Sequence, residues 1–275
     1  MASSQVGNKS RVVSVLLVAM ITYANGRLVT FSNSLPRITS SGNLSGWNMT
    51  GEIIDSHSNV IVQVNGTFFL YGEYHANGHD EGKTSTLPKL SVYTSKDMHT
   101  WVFRGLLHNN TAETWGPAAA RMNFWCPNAV WDEHRQRMVL YFTNQGVSPA
   151  QWGVATSQDG IHFDLVSLAS KSSQTDTGSV DGNALLIDDD GVGYIAFSTV
   201  QKGGNRSGDH MVTIDRLEPD LLSSTRQLAA PIFPDPFVEG VLFFKRRGYY
   251  YLVYSSCCCC CTAGAGGQEE RGPSA

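Results

Sequence analysis

Three acidic residues stand in the same local context: Asp55 in IIDSHSNVIVQVNGTFFLYGEY, Asp181 in DGNALLIDDDGVGYIAFST and Glu239 in VEGVLFFKRRGYYYLVYSS. Each precedes an apolar strand, a turn centred on a glycine (Gly66, Gly191 or Gly248) and then an aromatic strand. A repeat that delivers one carboxyl per unit to an equivalent position can bring three acids to one point. Cleavage of a glycosidic bond by inversion needs carboxyls with opposed jobs. One, kept protonated, gives its proton to the leaving oxygen; the other, ionised, activates a water on the far face of the sugar, with the pair about 6.5–9.5 Å apart. A third acid nearby raises the proton affinity of the donor by like-charge repulsion.

Such convergence requires a repeating scaffold. Runs rich in Val, Ile, Phe and Tyr alternate with clusters of Gly, Asn, Asp and Ser, and helical periodicity is nearly absent, so the fold class is all-β. Asn65-Gly66 between two apolar runs is a two-residue hairpin signal. Further hairpin turns fall at Asp132–Arg137, around Gly191 and around Gly248. Their spacing of roughly 55–70 residues allows one four-stranded sheet per interval, as in the blades of a β-propeller. A β-sandwich also spaces short strands regularly. It does not account for a phrase that occurs twice, Ser95-x-Asp97-x-x-x-Trp101 and Ser157-x-Asp159-x-x-x-Phe163.

Of the 275 residues, 41% are hydrophobic and 16% charged, with a formal net charge of -4. No basic stripe is present, which argues against a nucleic-acid partner and suits a neutral polyhydroxyl ligand. Lys9 and Arg11 precede the apolar run Val12 to Ala24, followed by Asn25 and Gly26. A basic start, a short apolar segment and a small-x-small ending predict a secretory signal peptide over residues 1–26. The run is too short for a membrane span, which needs about 20 apolar residues, so a secreted, extracellular protein is expected. Sequons at Asn43, Asn48, Asn65, Asn109 and Asn205 agree with passage through a secretory pathway and glycosylation. Cys126 stands alone, whereas Cys257 to Cys261 form an unbroken run that matches no metal spacing. The following TAGAGGQEERGPSA lacks apolar periodicity and reads as disordered. Residues 27–256 are therefore the expected folded domain, and 257–275 a cysteine run with a tail.

The phrases around the three acids resemble glycoside hydrolase family 43, five-bladed β-propellers that cleave arabinan, xylan and galactan. The resemblance implies Asp55, ahead of the first hairpin, as general base. Asp181, ahead of an apolar strand and Asp188-Asp189-Asp190-Gly191, takes the place of the acid that modulates the proton donor. Glu239-Gly240-Val241, followed by an apolar strand with Lys245 and Gly248-Tyr249-Tyr250-Tyr251, takes the place of the general acid. Trp125-Cys126-Pro127 resembles the family's Trp-Ala-Pro phrase. Val241 replaces a usual Pro, Cys126 a usual Ala, and the C-terminal blade is missing or incomplete. The expected function is a glycosidase acting on a polysaccharide by inversion, with no cofactor and no metal. A catalytically inactive, glycan-binding propeller is the alternative. Retaining fructan hydrolases would need Asn-Asp-Pro and Arg-Asp-Pro phrases, which the chain lacks.

Each residue also has a plainer reading. Asp55 could cap a turn and Asp181 could simply open a strand. Trp125 could stack on a sugar ring or fill the space between blades. His57 reads as a hydrogen-bonding neighbour of the base and a contributor to substrate binding rather than a metal ligand. Asp188, Asp189 and Asp190 read as a solvated turn, and Cys126 as a small buried hydrophobe.

Overall fold

The structure, a computed structural model, describes residues 37–38, 44–45, 48–49, 52–74, 89–107, 115–119, 122–174, 176, 178–201, 210–229, 233–234 and 239–255. The expected signal segment, the sequons at Asn43, Asn109 and Asn205, and the cysteine run lie outside them. Two compact units divide the chain at Gly46 and Trp47. In the first, β1 (Arg37–Ile38) pairs antiparallel with β2 (Leu44–Ser45).

The second unit begins with a short ladder of β3 (Asn48–Met49) and β4 (Glu52–Ile53). Blade I comprises β5 (His57–Val64), β6 (Thr67–Tyr74), β7 (Lys89–Ser95) and β8 (Trp101–Leu106). After a single helical turn, α1 (Gly116–Ala119), come β9 (Phe124–Asp132), β10 (Arg137–Asn144), β11 (Gln151–Ser157) and β12 (Asp164–Ser170) of blade II. Blade III has β13 (Gly178–Ile187), β14 (Gly193–Gln201), β15 (His210–Leu217) and β16 (Ser224–Leu228), and β17 (Phe233–Pro234) also pairs with β15. The hairpin of β18 (Glu239–Arg246) and β19 (Tyr249–Ser255) begins a fourth. Every pairing is antiparallel between sequence neighbours, apart from that of β17, as the spacing of hairpin signals requires. The first strands stand side by side, β5 against β9, β9 against β13 and β13 against β18. The sheets thus form an open arc of an all-β, incomplete propeller.

The core explains why the central strands read as unbroken apolar runs. Successive side chains of a strand point to opposite faces, and in an inner blade both faces are covered. Met138, Leu140 and Phe142 of β10 pack with Phe69, Tyr71, Leu90 and Val92 of blade I. The alternate residues Val139 and Tyr141 pack with Val180, Leu185, Ile195 and Phe197 of blade III. Ala184, Ala196 and Val212 of blade III then meet Val241 and Phe243 of the last hairpin. On that hairpin Leu242, Tyr249, Tyr251 and Val253 are exposed.

The repeated Ser-x-Asp phrase proves to be one turn used twice, between the third and fourth strands of blades I and II. Asp97 Oδ1 accepts the backbone N–H groups of His99 and Thr100, both at 2.8 Å. Asp159 Oδ1 accepts those of Ile161 and His162 at the same distance. The two N–H bonds hold the Asp97 carboxyl down at about 2.

Candidate active site

The first strand of every blade contains the same irregularity. A residue with left-handed φ falls near its start: Ser58 (46°), Cys126 (48°), Gly182 (50°) and Gly240 (65°). The pairing to the second strand shifts at that point in all four sheets. These are β-bulges, which bend a strand and re-aim the residues beside them. The residues just ahead of the bulges are His57, Trp125, Asp181 and Glu239, which pair with Glu73, Thr143, Ser198 and Ser255. Four of the five site residues expected from the sequence therefore hold equivalent backbone positions. Asp55 lies two residues ahead of His57, in the loop that enters β5.

Blade I fixes the Asp55 backbone from both sides. Its N–H donates to the Tyr93 hydroxyl at 3.2 Å, and its C=O accepts from Tyr93 Oη at 3.3 Å and Ser91 Oγ at 3.2 Å. Gly72 lets this segment lie close on β6: a Cβ there would stand 2.9 Å from the Ser56 backbone and 2.0 Å from its hydroxyl. Beside Gly72 stands Glu73, a carboxylate with no exposed surface. Glu73 Oε2 lies 2.9 Å from His57 Nδ1, and Oε1 accepts the Cys126 N–H at 2.7 Å. The hydrogen bond to Glu73 raises the His57 pKa, burial opposes it, and the Glu73 and Asp55 charges add to the rise.

Two of the hydrogen bonds between blades II and III lie beside the bulges. Asn183 Nδ2 donates to the Cys126 C=O at 2.8 Å, and the Leu185 N–H donates to Asn128 Oδ1 at 3.1 Å. Cys126, read as a small buried hydrophobe, proves to be a half-buried bulge residue. Burial pushes its thiol pKa well up, and the carboxylates of Asp181 and Glu73 add to this. Asp181 Oδ1 accepts the Gly182 N–H at 2.9 Å. A Cβ on Gly182 would come 3.9 Å from the Gly240 nitrogen, so the bulges that follow Asp181 and Glu239 adjoin.

The acidic turn of blade III departs from expectation. Asp189 and Asp190 are exposed, but the Asp188 side chain is only 7% exposed. It accepts hydrogen bonds from Lys245 and the Tyr250 hydroxyl of the next hairpin, and Lys245 also reaches Asp189 at 2.9 Å. The Lys245 bond first, then Tyr250, lower the Asp188 pKa to about 2. The turn is an inter-blade clasp as well as a solvated loop. Among the described residues, no group of three or more His, Cys, Asp or Glu could hold a metal ion, and no helix is long and apolar enough to cross a membrane.

Sequence reading missed Glu73, Ser91, Tyr93 and Asn183. For Glu73 the available signal was an acid within the run Phe68–Tyr74, where every other residue is apolar, aromatic or glycine.

The chain belongs to glycosyl hydrolases family 43, whose profile matches residues 55–274. An exo-β-1,3-galactanase from Clostridium thermocellum has a similar fold, with a TM-score of 0.60 and 23% identity over 77% of this chain and 45% of that one. Another, from Phanerochaete chrysosporium with bound galactose, gives 0.60 and 21% over 77% and 46%. An α-L-arabinofuranosidase from Clostridium thermocellum gives 0.53 and 23% over 72% and 63%. The chain spans a little under half the length of the two galactanases. No curated protein matches the sequence.

Proposed function

We propose that this chain carries the catalytic face of an inverting glycoside hydrolase whose substrate is a polysaccharide of the β-1,3-galactan, arabinan or xylan type. The observation that carries the reading is the fourfold bulge, which puts His57, Trp125, Asp181 and Glu239 at equivalent places on adjacent first strands. Family membership supports hydrolysis, and the galactanases and the arabinofuranosidase of similar fold support galactan or arabinan. The segment Val12 to Ala24 and the sequons support export and glycosylation.

Glu239, as the carboxylic acid, gives its proton to the glycosidic oxygen while the bond from that oxygen to the anomeric carbon breaks. A water attacks that carbon from the opposite face and passes its proton to the Asp55 carboxylate, leaving a hemiacetal of inverted configuration. Asp181 favours the protonated form of Glu239 by like-charge repulsion. Trp125 offers an aromatic face to the sugar ring and His57 a hydrogen bond. The residues present need no cofactor for these steps.

The alternative is a propeller that binds glycans without cleaving them. Reducing-sugar release from arabinan, xylan and β-1,3-galactan, with Glu239→Gln as control and calorimetric binding in parallel, separates the two. Hydrolysis abolished in Glu239→Gln is the expected result, and proton NMR should show the inverted anomer first. Binding without release favours the glycan-binding reading, and release that survives in Glu239→Gln sinks the proposed acid.

A further inference from the structure

We propose that Glu73 is the positioning residue of this site: one carboxylate oxygen holds the His57 ring, the other holds the Cys126 bulge of the next blade. As far as it concerns substrate, this rests on the glycosidase reading above. Glu73 lies within β6, where it is the single charged residue, and has no exposed surface. A carboxylate persists in such a place only when its oxygens are satisfied. Its two oxygens take donors from two blades: the Cys126 N–H at 2.7 Å, 53 residues away, and His57 Nδ1 at 2.9 Å. Cys126 itself sits at φ 48°, a region that non-glycine residues rarely adopt and that surrounding contacts must hold.

An ionised carboxylate can only accept hydrogen bonds, so the proton shared with Glu73 belongs to His57 Nδ1. The ring then has one orientation and one neutral tautomer, with Nε2 as the acceptor. Among the described residues, the groups that act on His57 include Glu73 from β6, the Ser58 hydroxyl of its own bulge (3.2 Å from Nδ1) and the charge of Asp55. The charge of Asp181, like that of Glu73, acts on Cys126. Glu73 thus couples the blade that carries Asp55 to the bulge that leads toward Asp181.

Glu73→Gln tests this with little change of shape. Its amide oxygen still accepts the Cys126 N–H, while its NH2 faces Nδ1 and drives the ring proton to Nε2. Long-range proton–nitrogen NMR spectra of the whole chain, with His57→Gln to assign the ring, should show the Nδ1–H tautomer in the native protein. Glu73→Gln should show Nε2–H and a titration midpoint at or below the ordinary value of about 6.5. On the glycan that the native protein cleaves, kcat should fall about 10- to 100-fold with little change in KM, by analogy with other groups that orient a reacting residue. Should Glu73→Gln fold poorly, His57→Gln keeps the Glu73–Cys126 bond and should lose kcat to the same extent without losing stability. An unchanged tautomer and midpoint in Glu73→Gln would overturn the proposal. If the native protein cleaves no glycan, the glycosidase reading fails and the NMR result still decides the role of Glu73.

Discussion

Replacing Gly182 with alanine isolates the backbone cost of the bulge that aims Asp181. Gly182 has a φ of +50°, and a Cβ built on it comes no nearer than 3.7 Å to Ser198 Oγ and 3.9 Å to the Gly240 nitrogen. Both are ordinary van der Waals contacts, so no clash enters the balance. What remains is the left-handed conformation, which costs an L-residue about 1–2 kcal/mol. In a domain of this size that lowers Tm by about 2–8 °C. Gly182→Asn should recover part of the loss, because the short amide side chain tolerates this region. Urea unfolding monitored by tryptophan fluorescence gives the free energies, and scanning calorimetry gives Tm. If Gly182→Ala is as stable as the native chain, the bulge is not held in solution. If Asn costs as much as alanine, φ is not the source of the penalty. Either result refutes the reasoning.

Three other perturbations have worked signs. Gly72→Ala would place a Cβ 2.9 Å from the Ser56 backbone; the hydroxyl can swing away but the chain cannot, so stability should fall by about 1–3 kcal/mol. Glycan affinity should fall with it as Asp55 and His57 lift off β6, and calorimetry showing unchanged affinity would count against their roles. The Asp188 carboxyl is held at about 2, first by Lys245 and then by Tyr250. A lowered acid contributes stability that is present above its unfolded value, about 3.9, and is lost as pH falls through the folded value. Native Tm should therefore drop more steeply than that of Asp188→Asn between about pH 4 and 2. Asp215 is buried and accepts from the Ser173 N–H, the Ser173 hydroxyl and the Ser224 hydroxyl. Asp215→Asn leaves one acceptor oxygen for these donors and should cost about 1–3 kcal/mol in urea unfolding. Burial raises the Asp215 pKa, so its own contribution is full at low pH and fades as pH rises. The gap between native and Asp215→Asn should narrow in that direction.

The blades were legible because period-2 burial on two faces writes itself locally, as in RMVLYFTN of β10, and because Asn65-Gly66 and the Ser-x-Asp turns are short-range chemistry. The backbone places of Asp181 and Glu239 were legible for a similar reason, each lying in a first strand ahead of its own hairpin, whereas Asp55 lies in the loop before β5. Contacts between blades were not. Nothing near Asp188 announces Lys245, 57 residues on, and nothing near Glu73 announces the Cys126 N–H. Those partners meet only through sheet order and a one-residue shift of register. A bulge is hard to read when the residue in the left-handed conformation is Ser58 or Cys126, since neither carries the glycine signal that Gly182 and Gly240 do.

That same bulge gives the proposed division of labour a physical basis. Backbone geometry repeats along the arc, so the four positions ahead of the bulges differ in side chain alone: His57, Trp125, Asp181 and Glu239. β5 and β18 lie at the two ends of the row of first strands, with β9 and β13 between them. Inversion needs its acid and its base on opposite faces of a sugar ring; Glu239 opens one end strand, and Asp55 lies in the loop that enters the other. The modulating acid must instead stand close to the proton donor, because Coulomb repulsion falls off with distance. Asp181 belongs to the strand next to Glu239, and Gly182 and Gly240 adjoin. One repeated bulge with different residues beside it is thus compatible with both requirements of the proposed mechanism.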